Sequence, residues 1–504
     1  MSRLFRRDSI AGKGMLVNQV RWRVLAATTV GLMCVSATLG GVAASAASAG
    51  PAKPATPIKG DPQPELKPFT IAATGAGGAT AAIEPNGAMA VAYDIAGGDG
   101  KVVVCVLDRG ASKCSSTVTL SPLAGDDTED TPSAYVFAPS TNHVDVLMDT
   151  CCDDAAGGDT LLFSSANGGK TFAAPVRVGG VGPGAAARVG SQLVFADGGG
   201  DVDGVDVESI PALGASGPSD GSSNPIAATS YGVGVGSYKS GALVASDNDG
   251  AKWTTYVSYA AAGKSFNATG SYRSVGSFPN EELVGLSGDV LLTQEVGGAE
   301  AYKVRLFNGT TFGPAHVVPG SGGGGPEWFS EDTDPRGQAH VFSDRAFSPV
   351  SYDLYLQSSW TGATWGGPLN LGNGITSDYF GSALDSLGSG VVVGTADHEP
   401  VWVHPVLGPQ GVTFTLKSSV IRPGTSTVGS GKGSPLAKGR AVQLQVERSG
   451  EWYWVATAHE NASGAFSFTI KGAAPGTRDY RAVASDFAGY LQYGYSPARA
   501  LKVS

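Results

Sequence analysis

Between about residue 69 and residue 408 the chain almost lacks helical periodicity; apolar residues do not return every three or four positions. That removes the strand-to-helix turn a nucleophile elbow requires, so "GPSDG" at 217–221 is a chance match to Gly-x-Ser-x-Gly in a Gly/Ser/Pro-rich loop. "GKS" at 263–265 lacks the upstream glycine of a phosphate-binding loop. The six histidines are scattered, and "ADHEPVWVH", with His398, Glu399 and His404, has no zinc-ligand spacing on a helix. Five cysteines include no Cys-x-x-Cys, and no helix is at hand to activate a thiol, which argues against redox work. No basic patch is visible and the net charge is −10, a balance that repels nucleic acid and anionic membrane.

What is present begins with an address. Arg3, Arg6, Arg7, Lys13, Arg21 and Arg23 precede an apolar run from Val24 to about Val42, then "AASAASAG". The expectation is a signal peptide over 1–49, cleaved after Ala47 or Ala49, with an uncleaved anchor as the alternative. No second apolar span follows, so the mature protein is expected to be secreted, extracellular or cell-wall associated, and monomeric. Cleavage removes six Lys/Arg and one acidic residue, leaving about −15. Residues 50–68, "GPAKPATPIKGDPQPELKP", read as a stiff Pro-rich linker.

From 69 to 408 short alternating runs such as "HVDVLMD", "SQLVFAD", "GDVLLTQ", "AHVFSD" and "SGVVVGT" stand between Gly, Asp, Asn and Ser clusters, which is all-β texture. Segments open near 75, 131, 183, 225, 281, 326 and 376, and each carries a turn ending in an aromatic: compare "GGKTFAAPVRVG", "NGTTFGPAHVV" and "GATWGGPLNLG". The anchors Phe172, Phe266, Phe312 and Trp365 lie one or two periods of about 45–50 residues apart, the length of a four-stranded propeller blade. The expected fold is a β-propeller of six or seven blades, seven favoured; a stacked β-sandwich array is the alternative. Residues 409–504 alternate strictly and are long enough for one Ig-like β-sandwich.

Cys105 and Cys114 flank "DRGA", where a hairpin brings them together, and Cys151 and Cys152 are adjacent. Disulfides are expected in an exported chain; three connectivities exist, with the local ones favoured.

Three phrases carry a family resemblance. "SSANGGKTF" (Ser165, Asn167, Gly169, Thr171, Phe172), "SDNDGAKW" (Ser246, Asn248, Gly250, Trp253) and "SSWTGATW" (Ser358, Gly362, Thr364, Trp365) resemble the Asp box of sialidase-like propellers, Ser-x-Asp-x-Gly-x-Thr-Trp. Asn167 replaces the Asp, and Trp360 stands at that place in the third copy. An Asx side chain closes such a turn, glycine supplies a positive φ, and the aromatic folds back between sheets. The box is therefore a fold signature, remote from the family's ligand pocket. The tail "GRAVQLQVERSGEWYWVATAHENASGAFSFTIKGAAPGTRDYRAVAS" resembles Ig-like modules of secreted actinobacterial proteins, which implies a spacer or adhesive domain.

In the sialidase family the resemblance implies three arginines clamping a carboxylate, an Asp acid/base and a Tyr–Glu nucleophilic pair. The early arginine is missing: "KPFTIAATGAGG" stands there, and no arginine precedes Arg109 in the propeller. "NEELVGLSGDVLLTQE" (280–295) is similar to the phrase carrying the nucleophile's partner, with Glu281 or Glu282 in the Glu position but no closing arginine. Arg273 and Arg345 sit near tyrosines and are the candidates to face the central funnel, with solvated surface arginines the commoner alternative.

"DGGGDVDGVDVE" (197–208) places Asp201, Asp203 and Asp206 as candidate calcium ligands, though no cofactor is required. "GGGGPEWFSED" (322–332) puts Trp328 between Glu327 and Glu331, a sugar-stacking arrangement. The function expected is a non-catalytic propeller binding glycan or extracellular protein. The alternatives are a sialidase-like exo-glycosidase with a diverged site, marked by carboxylates and arginines clustering at one funnel mouth, and a structural envelope protein.

Overall fold

The computed structural model describes residues 68–504, apart from 74–75, 96–99, 124–133, 150–159, 180–183, 199–204, 212–231, 249–252, 265, 267–269, 298–300, 319–328, 334–337, 349–350, 361–363, 366–368, 374–378, 396–399 and 489. Among the described residues every regular element is a strand, and no helix is long and apolar enough to cross a membrane.

Up to residue 406 the described strands form seven antiparallel sheets. Their first strands are Ala76–Ile83, Ala134–Ser140, Ala185–Val189, Val233–Tyr238, Glu281–Ser287, Phe329–Thr333 and Tyr379–Leu384. Each first strand packs against the first strand of the next sheet, and the last returns to the first, so the sheets close a ring. The protein is a β-propeller. Phe69–Ala72 supplies the outermost strand of the seventh sheet, pairing Phe69 with Val403 and Thr70 with Trp402, which ties the start of the ring to its end.

Residue choice follows from the stacking. A sheet packed on both faces has no solvent side, so Met89–Asp94 and Val102–Leu107 are buried throughout rather than alternating. Alanine dominates where first strands crowd the axis, as at Ala79, Ala81 and Ala82 or Ala185–Val189. The core is a series of layers between neighbouring sheets: Met89 and Val103 against Val393 and Val403, then Val104 against Val146, and onward to Val304 against Val341.

Turns between third and fourth strands lock these layers. In the second sheet Ser165 Oγ accepts from Gly169 N at 2.9 Å, and Asn167 Oδ1 accepts from Thr171 N at 3.0 Å. Gly169 has φ 76°, and a Cβ there would stand 2.9 Å from Val106. Phe172 then packs on the layer that holds Val104 and Val146. Phe266 and Phe312 are buried at the same point of the fourth and fifth sheets. In the first sheet Cys114 takes the aromatic's place and is bonded to Cys105.

One of the three boxes lies elsewhere. Residues 246–253 join the second strand of the fourth sheet, Gly241–Asn248, to its third, Thr254–Ala260, at the opposite end of the sheet from the box of residues 165–172. The spacing matched, but the flanking strands are the wrong pair. Ser358 and Trp365 do flank a third-to-fourth turn, with Ser359 opposite Trp365. Gly250, Gly362, Cys151 and Cys152 lie outside the described residues.

From Gly411 the strands build a two-sheet sandwich around one core of Val412, Phe414, Leu444, Phe466, Phe468 and Ile470. Gly408 N donates to Tyr490 O at 2.9 Å, and Gln492 N donates to Gly408 O at 3.0 Å. Arg109, in the disulfide-bridged turn, pairs with Asp385 of the seventh sheet and stacks 4.5 Å over Tyr490.

Candidate functional site

First strands begin, and second strands end, at one end of the ring. Opposite each of six first-strand starts, or one residue past it, the register places an acidic residue: Asp94, Asp149, Asp197, Asp247, Glu295 and Asp344. The amides of an edge strand need acceptors when buried, and a carboxylate satisfies two at once. Asp247 does so across a sheet boundary, accepting from Gly232 N at 2.6 Å and from Leu283 N of the fifth sheet at 3.0 Å. Asp94 is buried, and burial pushes its carboxyl well above the usual value against one backbone bond from Gly78.

Among the described residues at this end, a polar cluster surrounds Glu281. Arg305 grips its carboxylate with both guanidinium nitrogens, Nη1 to Oε2 at 2.6 Å and Nη2 to Oε1 at 2.8 Å. Thr293 Oγ1 donates to Oε2 at 2.6 Å, and Lys303 Nζ reaches Oε1 at 3.4 Å. Behind the fork, Arg305 lies 4.3 Å from the Phe278 ring. Burial pushes the Glu281 carboxyl up, but the bonds from Arg305 and Thr293 and the charges of Arg305 and Lys303 outweigh it and hold it below the usual value. Each Glu281 oxygen carries two donors, and the guanidinium is spent on the carboxylate. Neither group is free to act as base, nor to clamp a substrate carboxylate.

The other expected residues are dispersed. Glu282 is half-buried opposite Gln294. Arg273 does not face the funnel: it lies on the outermost strand of the fourth sheet, Tyr272–Pro279. There it donates to Thr310 O at 2.8 Å and Gly309 O at 2.9 Å, stapling the turn of the fifth sheet. Arg345 stands opposite Asp353 and Glu331 opposite Val341 in the sixth sheet, and Asp206 opposite Asp197 in the third. Glu327, Trp328, Asp201 and Asp203 lie outside the described residues. Among the described residues no three His, Cys, Asp or Glu side chains gather as a metal site.

Two features escaped the sequence reading. The acidic residue near the end of the second strand in six of the seven sheets was visible as an aliphatic run ending in Asp or Glu, as in "HVDVLMD" and "SQLVFAD". Arg305 carried no local signal as the partner of Glu281, 24 residues earlier.

No family model matches the chain, and no curated protein matches it. Similar solved structures include a Hadza microbial sialidase (TM-score 0.37, 10% identity, covering 65% of this chain and 65% of that one). The likeness thus spans less than two thirds of the sialidase. The Dos1 propeller gives TM-score 0.36 at 10% identity over 68% of this chain and 95% of that one. AofleA from Arthrobotrys oligospora gives 0.36 at 11% over 81% and 94%. At such scores and identities these neighbours identify neither family nor activity.

Proposed function

We propose that the protein is an exported, non-catalytic propeller that binds glycan or protein partners outside the cell. The observation that carries this reading is the closed state of Glu281. Glu281 is a candidate, with Glu282, for the Glu position that the resemblance implies, and Arg305, Thr293 and Lys303 occupy both its oxygens. A glycosidase needs carboxyl groups with lone pairs or protons open to the substrate. Arg273, spent on backbone carbonyls on the outer strand, is not placed for the carboxylate-clamp role either.

The test is a hydrolysis screen with the intact chain on chromogenic sialosides and neutral glycosides, with and without calcium. Release at the rate of the uncatalysed control is expected. Turnover that disappears on Glu281→Gln would overturn the reading in favour of a diverged exo-glycosidase.

A further inference from the structure

The six-stranded sheet of the sandwich ends in an edge strand, Glu451–His459, whose free side pairs with no described strand. Its neighbour Ala441–Arg448 turns Val442, Leu444 and Val446 into the core, so Gln443, Gln445 and Glu447 face outward. Trp452 pairs with Glu447 and Trp454 with Gln445, which places both indoles on that outer face; Gln445 also pairs with Arg481 on the next strand. Trp454 is 67% exposed, the highest value among the exposed large apolar side chains described.

This face is built and rigid. Arg481 is 1% exposed and lies between two rings, 4.3 Å from Trp452 and 4.9 Å from Tyr495. Its Nε donates to Gln445 Oε1 at 2.9 Å. The Trp454 indole is oriented by Nε1 donating to Thr457 Oγ1 at 3.1 Å. A fixed, solvated indole beside amide, hydroxyl and carboxylate groups lowers the ordering cost of binding.

The chemistry around the indole narrows the occupant. An added β-strand is disfavoured, because Val455 is bulged out between the pairs Gln445–Trp454 and Leu444–Ala456, and a bulge breaks the edge. Anions are disfavoured, because the guanidinium in the middle of the face is sunk between rings while Glu447, opposite Trp452, stands on the same face. The indole and its polar neighbours Gln443, Thr457 and Glu447 suit a ligand with a CH face to stack on Trp454 and hydroxyls for those three side chains. The geometry points to the outer face of Glu451–His459 as a site for a neutral pyranose glycan. This rests on the reading of the chain as a binding protein and moves the contact from the ring to the sandwich.

The experiment titrates the intact chain with neutral hexasaccharides of glucan, mannan, galactan and xylan type, read by calorimetry and tryptophan fluorescence. One hexamer should bind, with affinity falling about tenfold or more in Trp454→Ala. Most of the affinity should survive in Trp454→Phe, and the melting temperature should not move in either variant. Absence of binding to all four probes overturns the site. Undiminished binding by Trp454→Ala overturns it too, while leaving the binding function standing at another place. Hexamer cleavage with affinity still lost in Trp454→Ala supports the site and sinks the non-catalytic reading instead.

Discussion

In the ring, Phe172, Phe266 and Phe312 fold under neighbouring sheets to close their turns, whereas in the sandwich Tyr453 and Trp454 stand in water. Both placements arise in antiparallel sheet, so strand chemistry alone does not explain them. The ring covers each sheet on both faces, and an aromatic at a turn has a layer to enter. The sandwich covers one face of each sheet, and an aromatic on the outer face has nowhere to go. Trp454 is such a ring, left uncovered on the outer face, and an exposed aromatic of that kind is what a contact surface presents. The same contrast holds for charge: Glu281 is sealed by Arg305, while Glu447 stays half-open beside Trp454.

The contrast breaks most visibly under truncation. Phe307, 2% exposed between Tyr238, Tyr259 and Phe312, should cost about 3–5 kcal/mol as Phe307→Ala. Trp454→Ala should stay within about 0.5 kcal/mol. Denaturant melts of the two variants, side by side, measure the difference; similar costs would mean that Trp454 is structural.

Arg305→Met comes next, at about 3 kcal/mol, because it strands a buried carboxylate. A pH series sharpens the point. Glu281 is held below its unfolded value, so its contribution is present above the unfolded carboxyl value near pH 4.5 and is lost as pH falls through the folded value. Thermal melts of Glu281→Gln should lie below wild type at neutral pH and converge with it in acid. A constant offset would place the stabilisation outside the ionised pair.

Replacing Cys105 and Cys114 together by alanine should cost about 2–3 kcal/mol for a loop closed over a separation of 9 residues. A much smaller loss would show that Cys114 packs well enough as a thiol.

Much of the ring was legible because its rules are local. Runs of buried valine, turn glycines and a closing aromatic all lie within one segment, and "SSANGGKTF" spells out its own hydrogen bonds. The box misplaced at 246–253 shows the limit: Ser, Asn, Gly and Trp can fall in register in any turn, and only the flanking strands decide which turn it is. The lock on Glu281 was hidden because its partner enters from the third strand of the sheet. "EWYWVATAH" showed its alternation openly, yet the bulge at Val455 shifts the phase, so Trp454 and Thr457 share a face that strict alternation would divide.

The central claim, that the ring is scaffold and the sandwich face is the contact, is tested most directly by hydrogen–deuterium exchange on the intact chain with and without saturating neutral oligosaccharide. Slowed exchange confined to the strands holding Gln443, Trp454, Arg481 and Tyr495 is the predicted result. Slowed exchange around Glu281 and its neighbouring first strands, with the strand of Trp454 unchanged, would contradict it.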